Sequence, residues 1–152
     1  MEKKTVLISG GTSGIGLASA RLCARAGMNV VINGRKEERG LKAVHEVEPF
    51  GNVVYVKGDV TVEDDCQRMV EAAVSTFGNL TGLVTSAGYY RQELLENENS
   101  EEIRRIFEVN VFGTVLLCRA AYGALKKQGG SIVIISSDAG LQGNAACSIY
   151  GA

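Results

Sequence analysis

The stretch SGGTSGIG (Ser9–Gly16) limits what this chain can fold into more than any other segment. It follows a short apolar, β-branched run, TVLIS (Thr5–Ser9), which reads as a buried strand. After it, Ile15, Ala18, Leu22 and Ala26 recur at helical spacing, and Gly27 supplies the stop. Glycines between a strand and a helix let the backbone turn tightly and approach a pyrophosphate at the positive helix N-terminus. The spacing Gly10-x-x-x-Gly14-x-Gly16 differs from the commoner GxGxxG, and no Lys-Ser/Thr pair follows it. A P-loop for nucleoside triphosphates is therefore disfavoured. Glycines alone are weak evidence, because a structural turn uses them too. Their place at the start of a βαβ unit favours nucleotide binding, with Gly10, Thr12, Ser13, Gly14, Ile15 and Gly16 as the candidate contacts.

The alternation continues along the chain. MNVVIN is a second strand, residues 36–48 a charged surface helix, and NVVYV a third strand. Val62, Cys66, Met69, Val70, Ala73 and Phe77 mark one face of the next helix, closed by Gly78, and LTGLVTS is a fourth strand. Asn99 stands three residues before Glu102, a capping-box pattern that opens a long helix to about Lys127. Gly129-Gly130 ends that helix, and SIVIISS is a fifth strand. Strands alternating with helices predict an α/β fold of Rossmann type, a doubly wound parallel sheet formed as one domain over residues 1–152.

Composition narrows the function classes. Acids and bases are interspersed and the net charge is −1, so there is no electrostatic footprint for nucleic acid. No apolar run approaches the roughly 20 residues of a membrane span, and MEKKTVLISGG is too short for a secretory signal. Cys23, Cys66, Cys118 and Cys147 lie far apart with no CxxC pair. Reduced thiols at core or helix positions are expected, in a cytoplasmic protein, with neither a disulfide framework nor a metal site.

The second strand ends INGRKEE. A carboxylate there would bond the ribose 2′-hydroxyl of NAD, whereas an arginine accommodates the 2′-phosphate of NADP. Gly34 stands where the acid would sit, and Arg35 follows immediately. NADP(H) is the expected cofactor, with NAD(H) still open; the alternative is that Arg35 and Lys36 are only a solvated face at a helix start.

The glycine spacing resembles the TGxxxGIG fingerprint of the short-chain dehydrogenase/reductase family, with Ser9 in place of threonine. Further motifs follow in the family's order. GDV (Gly58–Val60) resembles its adenine-contacting motif and points to Asp59 and Val60. TSAG (Thr85–Gly88) sits where the family has NNAG, which places Ala87 and Gly88 at the cofactor. VNVFG carries Asn110 at the helix-asparagine position, IISSDAG carries Ser137 at the catalytic serine position, and Tyr150 follows thirteen residues later at the family's spacing. The resemblance covers the whole chain.

It implies hydride transfer between NADP(H) and a carbonyl or alcohol, with a 3-oxoacyl thioester as the commonest analogue. Negative charge grows on the substrate oxygen, so a proton donor and a hydrogen-bond donor are needed beside it. Tyr150 would be the acid or base, Ser137 the donor to that oxygen, and Asn110 the holder of a helix kink and a water. A free tyrosine titrates near pH ~10, so a cation must favour its ionised form. The family's lysine supplies it four residues after the tyrosine, and here only Gly151 and Ala152 follow. The expectation is thus a domain truncated after the fifth strand, from a homo-oligomeric parent enzyme, with a nucleotide-binding module without turnover as the alternative. Singly, each residue has a plainer reading: Ser137 a strand-end hydroxyl, Tyr150 a core edge, Asn110 a locally satisfied polar group. Tyr89, Tyr90 and Arg91 could border the nicotinamide, while His45 on the charged helix is expected to be exposed.

Overall fold

A computed structural model describes residues 3–152 of the chain. Strands β1 (Thr5–Ser9), β2 (Asn29–Gly34), β3 (Val53–Lys57), β4 (Gly82–Thr85) and β5 (Ser131–Ile134) form one sheet in the order β3-β2-β1-β4-β5, every neighbour parallel. Helices α1 (Gly14–Arg25), α2 (Glu37–Val47), α3 (Glu63–Phe77), α4 (Ser100–Phe107) and α5 (Gly113–Gln128) make the crossovers, followed by the short α6 (Ala139–Gln142) and α7 (Ser148–Gly151). The expected doubly wound α/β architecture is therefore present. The chain runs outward from β1 to β3, then returns to place β4 on the other side of β1. That reversal opens a crevice beyond the carboxyl ends of β1 and β4, the place where open α/β sheets bind ligands.

Alternation along the strands feeds two cores. Val6 and Ile8 of β1, with Val30 and Ile32 of β2, meet Ala20 and Ala24 of α1 and Ala43 and Val47 of α2. Leu7, Val31 and Leu83 face the other way, onto Cys66, Met69 and Ala73 of α3 and Leu117, Ala121 and Leu125 of α5. Burying each large aliphatic side chain contributes about 1.5–3 kcal/mol, so the central strand is fixed from both faces. The four cysteines are free thiols, with Cys66 and Cys147 buried. Burial, and then the carboxylates of Asp65, Asp59 and Glu63, push the Cys66 thiol up to about 11.

Three sequence expectations need correction. On α1 the stripe Ile15, Ala18, Leu22, Ala26 faces outward, with Ile15 61% and Leu22 65% exposed. The buried face is Gly16, Ala20 and Ala24, because small residues one turn apart let the helix lie close against the sheet. On α3, Val62 precedes the helix and is exposed, while Cys66, Met69, Val70 and Ala73 are buried as expected. The long helix after Asn99 is interrupted: α4 runs into a π-helical turn, Glu108–Phe112, before α5 begins. The run Ser100–Gln128 is also long enough, and apolar enough over part of its length, to cross a membrane by length and composition alone. Here one of its faces is seated on α3 and the sheet through Gly113, Leu117, Ala121 and Leu125.

Among the described residues strand β5 pairs only with β4, and Ile132, Val133 and Ile134 are each at least 40% exposed. Among the described residues an apolar edge is thus open along β5. The α1 finding gives a direct contrast. Leu7→Ala, in the closed core, is expected to cost about 2–5 kcal/mol, whereas Leu22→Ala is expected to stay within about 0.5 kcal/mol of the parent; denaturant unfolding measures both.

Candidate functional site

Two loops meet at the crevice, and one hydroxyl ties them. Ser9, the last residue of β1, is buried, and its Oγ accepts the backbone N–H groups of Ser86 and Ala87, at 3.2 and 3.3 Å. Beside it, Gly10 has φ +64°, and a Cβ there would lie 2.7 Å from the Ala87 nitrogen. No side chain fits, so glycine is required on both grounds. The N–H of Gly11 donates to the Asn33 carbonyl at 3.0 Å and hooks the loop over the end of β2. Ser13 then stands in extended conformation before α1 without capping it through its side chain, and the first turn holds no acid. The N-terminal amides of α1 are therefore aimed outward beside exposed Ser13, Gly14 and Ile15. This cradle suits a pyrophosphate in charge and in space.

The GDV segment forms the outer wall. Asp59 Oδ1 accepts the Thr61 N–H at 3.0 Å and the Thr61 hydroxyl at 2.9 Å. Its other oxygen lies 3.8 Å from the Arg35 guanidinium. The Asp59 N–H in turn donates to Asp65 Oδ2 at 2.7 Å. That bond first, helped by Arg68 and opposed by burial, holds the Asp65 carboxyl below its usual 3.8. Val60 is 6% exposed and belongs to the α3–α5 core, so only its backbone is open to a ligand.

Asn110 lies within the π-helical turn, half-buried, and its side chain clamps the loop after β4. Its Oδ1 accepts the Tyr89 N–H at 2.7 Å, and its Nδ2 donates to the Tyr89 carbonyl at 2.9 Å. Both polar ends of the amide are used, which accounts for an asparagine inside an apolar helix. The Tyr89 hydroxyl donates to Glu102 at 2.6 Å, and that bond raises the phenol. Glu102 therefore completes only half of a capping box: its N–H meets Asn99 Oδ1 at 2.9 Å, but its carboxylate is spent on Tyr89.

Ser137 is half-buried, and its Oγ accepts the Ala139 N–H at 3.2 Å in a local turn. Tyr150 lies in α7, its ring edge-on to Tyr90 at 4.9 Å. Helices α6 and α7 touch, with Gly140 and Ala139 beside Gly151, so the segments carrying Ser137 and Tyr150 lie together. No hydrogen bond joins Asn110, Ser137 and Tyr150 among the described residues; the loop after β4 links Asn110 to Tyr150, since Asn110 holds Tyr89 and Tyr90 packs on Tyr150. The Glu93 N–H to the Ala146 carbonyl, 2.7 Å, adds a second stitch. His45 sits at the surface beside Glu48, as expected. The Ser9 tie and the Asn110 clamp were not anticipated, because both join backbone far apart in sequence.

The fold and the loop crevice define a Rossmann-like α/β domain, and its relatives narrow that class. Residues 4–152 match the short chain dehydrogenase family. The chain belongs to that family. It is 38% identical to an uncharacterized oxidoreductase of Thermotoga maritima, covering 93% of this chain and 57% of that protein. It is 37% identical to L-fucose dehydrogenase of Mus musculus, over 97% and 53%, and 36% identical to 3-oxoacyl-[acyl-carrier-protein] reductase of Bos taurus, over 98% and 62%. Among solved structures, actinorhodin polyketide ketoreductase with NADPH superposes with a TM-score of 0.94 at 26% identity, covering 99% of this chain and 60% of that one. The chain spans a little over half the length of the curated relatives it matches.

Thr85, in place of the first family asparagine, is 3% exposed, and its hydroxyl has no hydrogen-bond partner. Thr85→Val keeps the shape and removes the orphaned group, so unfolding stability is expected to be unchanged or up to about 1 kcal/mol higher. Asp65 gives a pH test. Its folded value is depressed, so its stabilisation is complete above about pH 4, the unfolded value, and is lost as pH falls through the lower folded value. Asp65→Asn should lower Tm near neutral pH and flatten its fall in acid.

Proposed function

We propose that the protein carrying this chain is an oxidoreductase that moves a hydride between NADP(H) and a carbonyl or alcohol. The observation that carries this reading is the crevice where the uncapped N-terminus of α1 faces the Ser9-tied loop after β4. In it, the α1 amides would hold the pyrophosphate, Asp59 and the Val60 backbone the adenine, Arg35 the 2′-phosphate, and Ala87 and Gly88 the inner part of the cofactor. The cofactor, when bound, supplies or accepts the hydride.

The chain's own residues handle the proton. Ser137 accepts the Ala139 N–H on its oxygen at 3.2 Å, and its O–H, which reaches the exposed Asp138 carboxylate only at 3.4 Å, turns to donate to a substrate oxygen. Tyr150 donates or takes the proton at that oxygen. Asn110 acts as a positioning residue: it holds Tyr89, and the next residue, Tyr90, packs against the ring of Tyr150. The relatives named above include a 3-oxoacyl thioester reductase and a sugar dehydrogenase, and the 3-oxoacyl thioester is the substrate class to test first. A homo-oligomer is the proposed working form, to be checked by light scattering.

The test is carbonyl reduction by the full-length protein with NADPH, compared with its Tyr150→Phe variant. A loss of about 10²–10⁴-fold in kcat, with NADPH affinity unchanged, is expected for removal of a general acid. Activity that survives Tyr150→Phe would remove the tyrosine from the chemistry.

A further inference from the structure

Arg35 accounts for one cation near a 2′-phosphate, but the end of β2 carries more information than that. Gly34 is held on two sides, its carbonyl accepting the Tyr55 hydroxyl at 2.8 Å and the Gly58 N–H at 3.2 Å. Asn33 reaches across to the Val56 and Gly58 carbonyls, at 3.2 and 3.0 Å. The tips of β2 and β3 therefore form one rigid edge. On that edge Lys57 is the register partner of Gly34, which places it on the neighbouring strand about 5 Å away. Arg35 and Lys57 line one cleft of about 400 Å³, together with Gly58, Asp59, Asp65 and Arg68.

The three cations in this cleft are not equally free. Arg68 is held by Asp65 at 2.6 Å. Arg35 is 3.8 Å from Asp59, and Lys57 is 3.9 Å from Glu37, with both basic side chains at least 60% exposed. Long, exposed pairs of this kind contribute little and are easily exchanged for a better partner. A phosphomonoester, with a charge near −2, is such a partner.

The glycine loop excludes the competing solution. A Cβ on Gly34 would lie 2.7 Å from Thr12 Cγ2 and 2.9 Å from its Oγ1. The Gly11 N–H bond to the Asn33 carbonyl fixes the backbone beside Thr12, so the space is cleared only by turning the Thr12 side chain. Any acid at position 34 would start from an occupied space.

We propose that Thr12 and Lys57 are specificity-determining residues for a ribose carrying a 2′-phosphate. Thr12 fills the space that a 2′-hydroxyl-binding carboxylate at position 34 would need, and Lys57 is the second cation on the phosphate. This rests on the NADP(H) reading above and goes beyond it.

Calorimetric titration of the chain with NADPH, NADH, 2′,5′-ADP and 5′-AMP separates the two. Lys57→Ala should weaken NADPH and 2′,5′-ADP about three- to tenfold, the scale of one exposed phosphate–lysine contact, and leave NADH and 5′-AMP unchanged. Gly34→Asp alone should bind NADH no tighter than the parent, whereas Thr12→Gly with Gly34→Asp should bind it about tenfold tighter. Gly34→Ala serves if the aspartate variants do not fold: it should lower Tm, and Thr12→Gly should restore it. The proposal is overturned if Lys57→Ala weakens NADPH and NADH equally or weakens neither, if Gly34→Asp alone performs as well as the pair, or if Thr12→Gly fails to rescue Gly34→Ala. Arg35→Ala tests the underlying reading: retained preference for NADPH there would sink that reading, whereas lost preference beside an unaffected Lys57→Ala would sink only this inference.

Discussion

The Ser9 hydroxyl, buried at the end of β1, is the contact on which the site depends. By accepting two N–H groups from the loop after β4, it fixes the separation of the two strands that flank the topological switch. Gly10 then brings the backbones together, since its missing Cβ is what allows the Ala87 nitrogen so close. With that distance set, α1 can point its first amides into the crevice. Small residues along its inner face, Gly16, Ala20 and Ala24, keep it low on the sheet. Core packing, loop closure and the outward-facing amides of the helix end are thus consequences of one short segment.

A second chain of contacts runs from the helices to Tyr150. The π-helical turn at Glu108–Phe112 re-aims Asn110 out of the helix wall, a role that such turns often serve at functional sites. Asn110 spends both ends of its amide on the Tyr89 backbone, and Tyr90 carries that order to Tyr150 through an edge-on ring contact. The Tyr90 hydroxyl also lies 3.5 Å from the buried Cys147 thiol, three residues before Tyr150. Local order around the tyrosine therefore comes from a loop nearly sixty residues upstream.

Much of this was legible in the sequence. The five strands, their parallel arrangement and the glycine turn followed from periodicity and punctuation, because β-branched runs and helix stops are local properties. The gaps have physical causes. Helical spacing located α1 but not its buried face, since the packed stripe consists of glycine and alanine and the larger apolar residues point outward. Asn110 was visible as an oddity, yet nothing local signals a π turn. Ser9, Thr12 and Asp65 act through partners on other elements: Ser86 and Ala87, Gly34, and Asp59. Those pairings exist only once the sheet has formed.

Amide hydrogen exchange on the chain, with and without NADPH, tests the central claim most directly. Protection gained at residues 13–16 and 59–60, with strands β1 and β2 unchanged, is the predicted result. Protection elsewhere, or none at the N-terminus of α1, would contradict a cofactor held by that helix end across the Ser9-tied crevice.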